Sequence, residues 1–110
     1  MSEEKKKVSL SFAQSFMLME ALEDIYSQKT KAATAVKFYR LAKPLKTLVE
    51  DYKELTSKVT GEEGSAEWEA NLIEINNSTF AEFDTITLDD FGDLEITPAT
   101  ILKLEPIISE

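Results

Sequence analysis

The stretch that decides the fold runs from Phe38 to Val59 and reads FYRLAKPLKTLVEDYKELTSKV. Its apolar residues recur three or four positions apart, which is the a/d spacing of a helix that buries one continuous side. This apolar seam has seven members: Phe38, Leu41, Leu45, Leu48, Tyr52, Leu55 and Val59. The seam indicates an assembly or interaction element. Two alternatives are open for what covers it: the chain's own core, or a second copy in a self-associating coiled coil.

Pro44 lies inside the seam and complicates the prediction of a single helix. An interior proline costs about 3 kcal/mol, because it removes a hydrogen bond and clashes with the preceding turn. The helix could break near Lys43, with Pro44 starting a new one, or continue with a kink. The apolar phase passes through Pro44 without a slip, and each buried seam residue contributes about 1.5–3 kcal/mol. We therefore favour one kinked helix, capped by Thr30 and ending near Thr60.

Two further helices are predicted from their start signals. Ser11 can cap a first helix from about Phe12 to Ser27, the natural antiparallel partner of the seam helix across a short connection. After a loop at 61–65, Ser65 can cap a third helix that ends near Asn76.

The remaining segments indicate a small β element. Val8–Leu10 alternates apolar and polar residues, and Phe80–Leu88 reads as a strand whose change of parity indicates a bulge. Thr97 can cap a short final helix with Pro98 at its first position. The predicted fold class is a mostly helical α+β: an antiparallel helical hairpin with a long second helix, a third helix and a two-stranded β element.

Length and composition favour one domain over residues 8–110, preceded by a disordered charged tail at 1–7. Hydrophobic residues make up 43% of the chain, too many for a disordered protein. No apolar run is long enough for a signal peptide or a membrane span, so we expect a cytoplasmic protein with no membrane partner.

The net charge of −9 is unevenly distributed. Residues 1–60 hold 11 bases and 8 acids, a net charge of +3, whereas residues 61–110 hold 13 acids and the single base Lys103, a net charge of −12. No acid occurs between Ile25 and Val49. The two halves therefore have opposite electrostatic character.

The bases of the seam helix form a candidate binding face. At 100° per residue, Lys37, Arg40, Lys43 and Lys46 lie opposite the apolar seam and face solvent. The acidic total charge, and the lack of glycines and aromatics interleaved with these bases, argue against direct nucleic-acid binding. We expect a solvated cationic face that is partly neutralised by the chain's acidic half or by a partner.

The acidic half offers a second candidate. Its carboxylates could imitate a phosphate backbone and occupy the groove of a DNA-binding protein, although solubility alone would also explain them. The candidate mimic residues are Glu62, Glu63, Glu67, Glu69, Asp84, Asp89, Asp90, Asp93 and Glu95.

The segment Asp89–Glu95 resembles a cation-binding loop but fails the EF-hand spacing. We interpret it as a structural turn, in which Asp89 and Asp90 cap the turn and Gly92 adopts a backbone angle closed to other residues. The chain has no cysteine and no histidine, the commonest metal ligands and bases. We therefore expect no enzyme activity, metal or cofactor.

Two sets of residues complete the predictions. The aromatic residues Trp68, Phe80, Phe83 and Phe91 are predicted to belong to the core. The candidate partner-binding residues are Lys37, Arg40, Lys43, Lys46, Asp89, Asp90, Asp93 and Glu95.

Three stretches carry a family resemblance: AATAVKFYRLAK at 32–43, TLDDFGDLEITP at 87–98 and ILKLEPII at 101–108. Together they resemble a family of small uncharacterised proteins of tailed phages and prophages of Gram-positive bacteria. Pro44 and the loop at 61–65 depart from the family pattern. The resemblance implies expression in the cytoplasm of an infected bacterium and action by binding other proteins, and it carries over no catalytic role.

The hypothesis that joins these observations is a non-enzymatic accessory protein that binds a host or phage protein stoichiometrically. An acidic nucleic-acid mimic that inhibits a host DNA-binding or defence protein is one alternative. A self-assembling structural component is the other.

Overall fold

A computed structural model describes residues 7–109 of the chain. It contains two strands and five α-helices in that range: β1 (Lys7–Ser11), α1 (Phe12–Tyr26), α2 (Ala32–Ala42), α3 (Leu48–Thr56), α4 (Ala66–Asn77), β2 (Thr79–Asp84) and α5 (Pro98–Leu104). Short 3₁₀ helices span Lys43–Thr47, Leu88–Phe91 and Glu105–Ile107. The predicted fold class, mostly helical α+β with a two-stranded element, is confirmed. The predicted tail at 1–7 lies outside the described residues except for Lys7, which belongs to β1.

Three of the predicted helix starts have the expected caps. The Ser11 hydroxyl accepts from the amide of Gln14 at 3.1 Å, and the Gln14 side chain accepts from the amide of Ser11 at 3.0 Å. The hydroxyls of Ser65 and Thr97 each accept from the amide three residues on, both at 3.2 Å. The predicted cap at Thr30 is wrong: α2 begins after Lys31 without a side-chain cap, because the Thr30 hydroxyl donates to another part of the chain.

The favoured single kinked helix is not one continuous α-helix: α2 ends at Ala42 and α3 begins at Leu48. Between α2 and α3, residues Lys43–Thr47 form a 3₁₀ helix with Pro44 near its start. Pro44 is tolerated because it lies in the first turn of this 3₁₀ helix, where an N–H has no acceptor within the helix, and Leu45 and Leu48 remain buried. The last α-helical residue is Thr56 rather than Thr60, as the following residues form a turn.

The core lies around α1, which packs against α5 and also contacts α2, α3 and α4. The two antiparallel strands pair Val8 with Phe83 and Leu10 with Ala81, so these four residues share the face toward the core. β2 ends at Asp84, and Ile86 instead forms an isolated parallel bridge with Ile108. The predicted bulge at 83–88 is wrong: the register shifts between the pairs Leu10–Ala81 and Ser11–Thr79, which makes Phe80 of β2 the extra residue.

The four predicted core aromatics differ in burial. Phe83 and Phe91 are buried, and Phe80 is partly buried against the core and next to the ring of Phe12. Trp68 is only half-buried, because it lies near the start of α4, a helix with no buried residue.

The molecule is elongated, with principal extents of 48, 34 and 22 Å. The radius of gyration is 16.0 Å, above the value of about 13 Å for a compact chain of this length. We call residues 48–77 the α3–α4 hairpin and residues 7–47 with 78–109 the body. Leu48 is the hairpin's one fully buried apolar residue, at the point where α3 leaves the body.

Candidate binding surface

The predicted partner-binding acids lie in a turn that packs on the start of α2. The Thr30 hydroxyl donates to an Asp93 carboxylate oxygen at 2.6 Å. The Gln28 amide donates to the carbonyl of Glu95 and accepts from its N–H, both at 2.8 Å. The Lys37 ammonium lies 3.4 Å from the Asp90 carboxylate. Residues far apart in sequence thus hold the acidic turn, Asp89–Glu95, against α2 and the segment that precedes it.

The acidic turn is also built from within. The N–H of Thr87 donates to the Asp90 carboxylate at 2.8 Å, which completes a capping box around Leu88–Phe91. Gly92 has a φ of +58°, and a Cβ there would lie 3.0 Å from the Thr34 hydroxyl, so a glycine suits both the turn and the contact with α2. The Phe91 and Phe38 rings pack with centroids 5.6 Å apart. These contacts give the turn a structural role.

The pKa of the Asp93 carboxylate in the acidic turn lies below its ordinary value. The hydrogen bond from the Thr30 hydroxyl lowers its pKa, as do its own backbone N–H and the charge of Lys31, while desolvation opposes them. Its ionised form is therefore favoured by the packing of the turn on α2. The Asp93 carboxylate is therefore already hydrogen-bonded within the chain and stabilises the packing of the turn.

The predicted basic face separates into two parts. Lys37 is paired with Asp90, whereas Arg40, Lys43 and Lys46 are exposed and form no ion pair within residues 7–109. The Lys46 ammonium lies 5.5 Å from the centroid of the Tyr39 ring, close enough for a cation–π contact. The eight predicted site residues therefore do not form one site, and three cations remain available.

Sequence reasoning missed an apolar groove beside these cations. It lies between α1 and the chain from α2 into the 3₁₀ helix, and its volume is about 370 Å³. We call it the basic groove; it is lined by Met19, Leu22, Glu23, Tyr26, Tyr39, Ala42, Lys43, Leu45 and Lys46. Its floor is made by the buried Leu22 and Leu45. Lys43 and Lys46 supply the positive charge of its rim, and Glu23 is its one acidic residue.

Two tyrosines line the basic groove and remain largely accessible. The exposed fractions of Tyr26 and Tyr39 are 56% and 52%, large values for aromatic rings on adjacent helices. Desolvation raises the pKa of the Tyr26 phenol, as expected where a ring is partly covered by neighbours. One sequence feature does indicate this groove. The apolar side of α1 includes Met19 and Tyr26 and is too wide for one neighbouring helix to cover.

Other parts of the surface offer less defined chemistry. A hollow of about 500 Å³ beside β2 brings Arg40 and Lys43 near Glu82 and Asp84, so its charges are of mixed sign. Among residues 7–109 no three acidic side chains are gathered closely enough to hold a metal ion. No helix in the same range is long and apolar enough to span a bilayer.

The candidate mimic acids are partly engaged by the chain itself. Asp90 pairs with Lys37, Asp93 accepts from Thr30, and Glu67 accepts from the Thr60 hydroxyl.

No family model, curated protein or solved structure matches this chain. The likeness to phage proteins therefore rests on the sequence motifs alone.

Proposed function

We propose that this chain is a non-enzymatic accessory protein that binds a protein partner stoichiometrically through the basic groove. One observation carries the proposal: an apolar concave surface lies beside exposed lysines that have no ion pair in the described part of the chain. Aromatic rings with two apolar faces and few rotatable bonds, such as Tyr26 and Tyr39, are typical of binding hot spots.

The chemistry of the groove favours an amphipathic acidic segment as its occupant. Apolar side chains of the partner would cover Leu22 and Leu45, and carboxylates at the edge of that segment would pair with Lys43 and Lys46. Burial of the apolar side chains would supply most of the affinity, while the charge pairs would select the partner and accelerate association.

The nucleic-acid mimic is the weaker candidate function. Mimicry needs carboxylates that are free to face a DNA-binding protein, and Asp90 and Asp93 are engaged in holding the acidic turn on α2. The phage context and a location in the host cytoplasm belong to the same proposal and are supported by the motifs at 32–43 and 87–98.

Site-specific photocrosslinking in a bacterial lysate tests the proposal. A photoreactive amino acid in place of Tyr39 should give a discrete protein adduct, because this position lies on the groove. The same group in place of Glu62, an exposed residue of the loop before α4, is the matched control. The Lys43→Glu/Lys46→Glu double substitution should suppress the adduct at position 39.

Two results would count against the groove as a binding surface. One is the absence of a discrete adduct at position 39 in a protein with an unchanged circular dichroism spectrum. The other is an adduct of equal yield at positions 39 and 62, which would indicate random encounters.

A further inference from the structure

We infer that α4 of a second copy of this chain occupies the basic groove. This inference rests on the proposed function, since it identifies the partner of the same surface. It depends on two described surfaces of the chain that are complementary in shape and charge.

The outer side of α4 has the chemistry that the groove requires. Ile73 is 60% exposed, more than Val49 or Leu55 elsewhere in the hairpin. Glu69 lies one turn before Ile73 and Glu74 directly after it, and both carboxylates are exposed and have no ion pair within the described range. The helix thus presents an apolar side chain between two acids.

This side of α4 faces away from its own body. Ile75 packs against the core, and two residues along a helix correspond to a rotation of about 200°, so Ile73 lies on nearly the opposite side. The Tyr52 hydroxyl donates to the Asn76 side chain at 2.7 Å and ties α4 to α3. The helix is therefore held with Ile73 outward, where a second molecule can reach it.

The charges of the two surfaces are opposite. The hairpin at 48–77 contains eight acids and two bases, a net charge of −6, whereas the chain from Ile25 to Val49 contains six bases and no acid. Glu23, the one acid of the groove, lies on α1, across from the lysines on the other wall. It would repel carboxylates on that side, so Glu69 and Glu74 would face Lys43 and Lys46.

The contact would join two different surfaces and is therefore heterologous. When the groove of one molecule binds α4 of a second, the first molecule still has a free α4 and the second still has a free groove. Self-association should consequently depend on protein concentration and weaken with added salt, because the lysine–glutamate pairs lie at the solvent-exposed edge of the groove.

A charge exchange between the two surfaces tests the inference in the full chain. Lys43→Glu/Lys46→Glu makes the groove acidic, and Glu69→Lys/Glu74→Lys makes α4 basic. In sedimentation velocity, each variant alone should self-associate more weakly than the wild type by about tenfold or more, since like charges then meet. Mixing the two variants should restore association, because every groove again meets an α4 of opposite charge.

Matched controls separate the surface from net charge. Lys29→Glu/Lys53→Glu changes the net charge by the same amount as Lys43→Glu/Lys46→Glu, but both exposed lysines lie outside the groove. This control variant should self-associate like the wild type. Circular dichroism of each variant should match that of the wild type. A wild type that stays monomeric at the highest attainable concentration, or a mixture that does not recover, would overturn the inference.

The crosslink at position 39 distinguishes this inference from the proposal on which it rests. An adduct with twice the mass of the chain supports a second copy as the occupant. An adduct with a different protein leaves the basic groove as a binding surface and overturns only the inference. The absence of any adduct rejects both.

Discussion

The body and the α3–α4 hairpin continue the same apolar seam, yet they bury it to different extents. In the body, Phe38, Leu41 and Leu45 are almost fully buried, and Leu48 is completely buried at the junction. Beyond it, Tyr52 is half-buried and Leu55 is 41% exposed. This difference shows that an amphipathic pattern specifies a helix and its apolar side. The neighbouring elements decide how much of that side is removed from water.

The two regions differ because they have different numbers of neighbours. In the body, α1 contacts α2, α5 and both strands, and α2 also contacts the 3₁₀ helix of the acidic turn. In the hairpin, α3 and α4 have mainly each other and one side of α1, so an outer face on each helix stays in water. We expect the body to supply most of the stability of the fold.

Matched leucine substitutions in the seam test this comparison most directly and have the largest expected effect. Leu48→Ala should lower the free energy of unfolding by about 2–5 kcal/mol, because it leaves a cavity at a fully buried position. Leu55→Ala should cost less than about 1 kcal/mol, since the side chain is 41% exposed. Urea denaturation measures both values. Equal losses would mean that Leu55 is covered in solution.

Glycine substitutions in the loop of the hairpin test whether the hairpin is a local unit. Gly61 and Gly64 both have positive φ angles, so alanine should cost about 1–2 kcal/mol at either position. Only at Gly61 would a Cβ lie 2.8 Å from the backbone nitrogen of Trp68, so Gly61→Ala should cost more.

Amide hydrogen exchange is the measurement for these two variants. Gly61→Ala should accelerate exchange in α4 and leave α1 nearly unchanged, because the strain can be relieved by local opening of the hairpin. Gly64→Ala is the control for the backbone angle alone. If the exchange rate in α1 rises as much as that in α4, the body and the hairpin unfold together. The hairpin is then not a local unit.

A smaller loss is expected where the acidic turn joins the body. Gln28→Ala removes two hydrogen bonds to the backbone of Glu95 and should cost about 1–2 kcal/mol. The neighbouring Lys29 is exposed, so Lys29→Ala should change the free energy of unfolding by less than about 0.5 kcal/mol. Chemical denaturation compares the two, and a Gln28→Ala protein as stable as the wild type would show that the turn is not held by this residue.

The smallest predicted effect is the pH dependence of Asp93. Because folding lowers the pKa of Asp93 below its ordinary value of 3.8, ionised Asp93 stabilises the folded state above that value. This contribution should disappear as the pH falls through the lowered pKa. Asp93→Asn should therefore reduce stability at neutral pH and flatten its acid dependence.

NMR titration of the Asp93 carboxylate provides the direct readout. Thr30→Val removes the hydroxyl that contributes most to the lowered pKa, so the pKa should move toward its ordinary value. An unchanged titration in that variant would contradict the role assigned to the Thr30 hydroxyl.

Much of the fold could be predicted from the sequence because its determinants are local. Ser11, Ser65 and Thr97 begin helices through contacts with residues three positions away, and Gly92 permits its own turn. The error at Thr30 has the opposite origin, a hydrogen bond to a distant residue. Local rules predict that Thr30 caps α2, but its hydroxyl donates to Asp93, which is 63 positions away and which no local rule could identify.

The candidate site was less accessible to sequence reasoning. The sequence identified Lys37, Arg40, Lys43 and Lys46 as one face, since helical spacing places them together. It could not show that Lys37 is paired with Asp90, or that the apolar side of α1 meets the other cations at the basic groove.

The sequence by itself determined where most of the helical and strand segments lie, the caps at Ser11, Ser65 and Thr97, and the uneven charge, because each depends on spacing or composition within a short stretch. Tertiary structure alone decided which part of the seam is buried, which acids are engaged and where a groove remains open. These properties depend on which distant elements pack together, and that packing is set by the burial of apolar area across the whole chain rather than by any one segment.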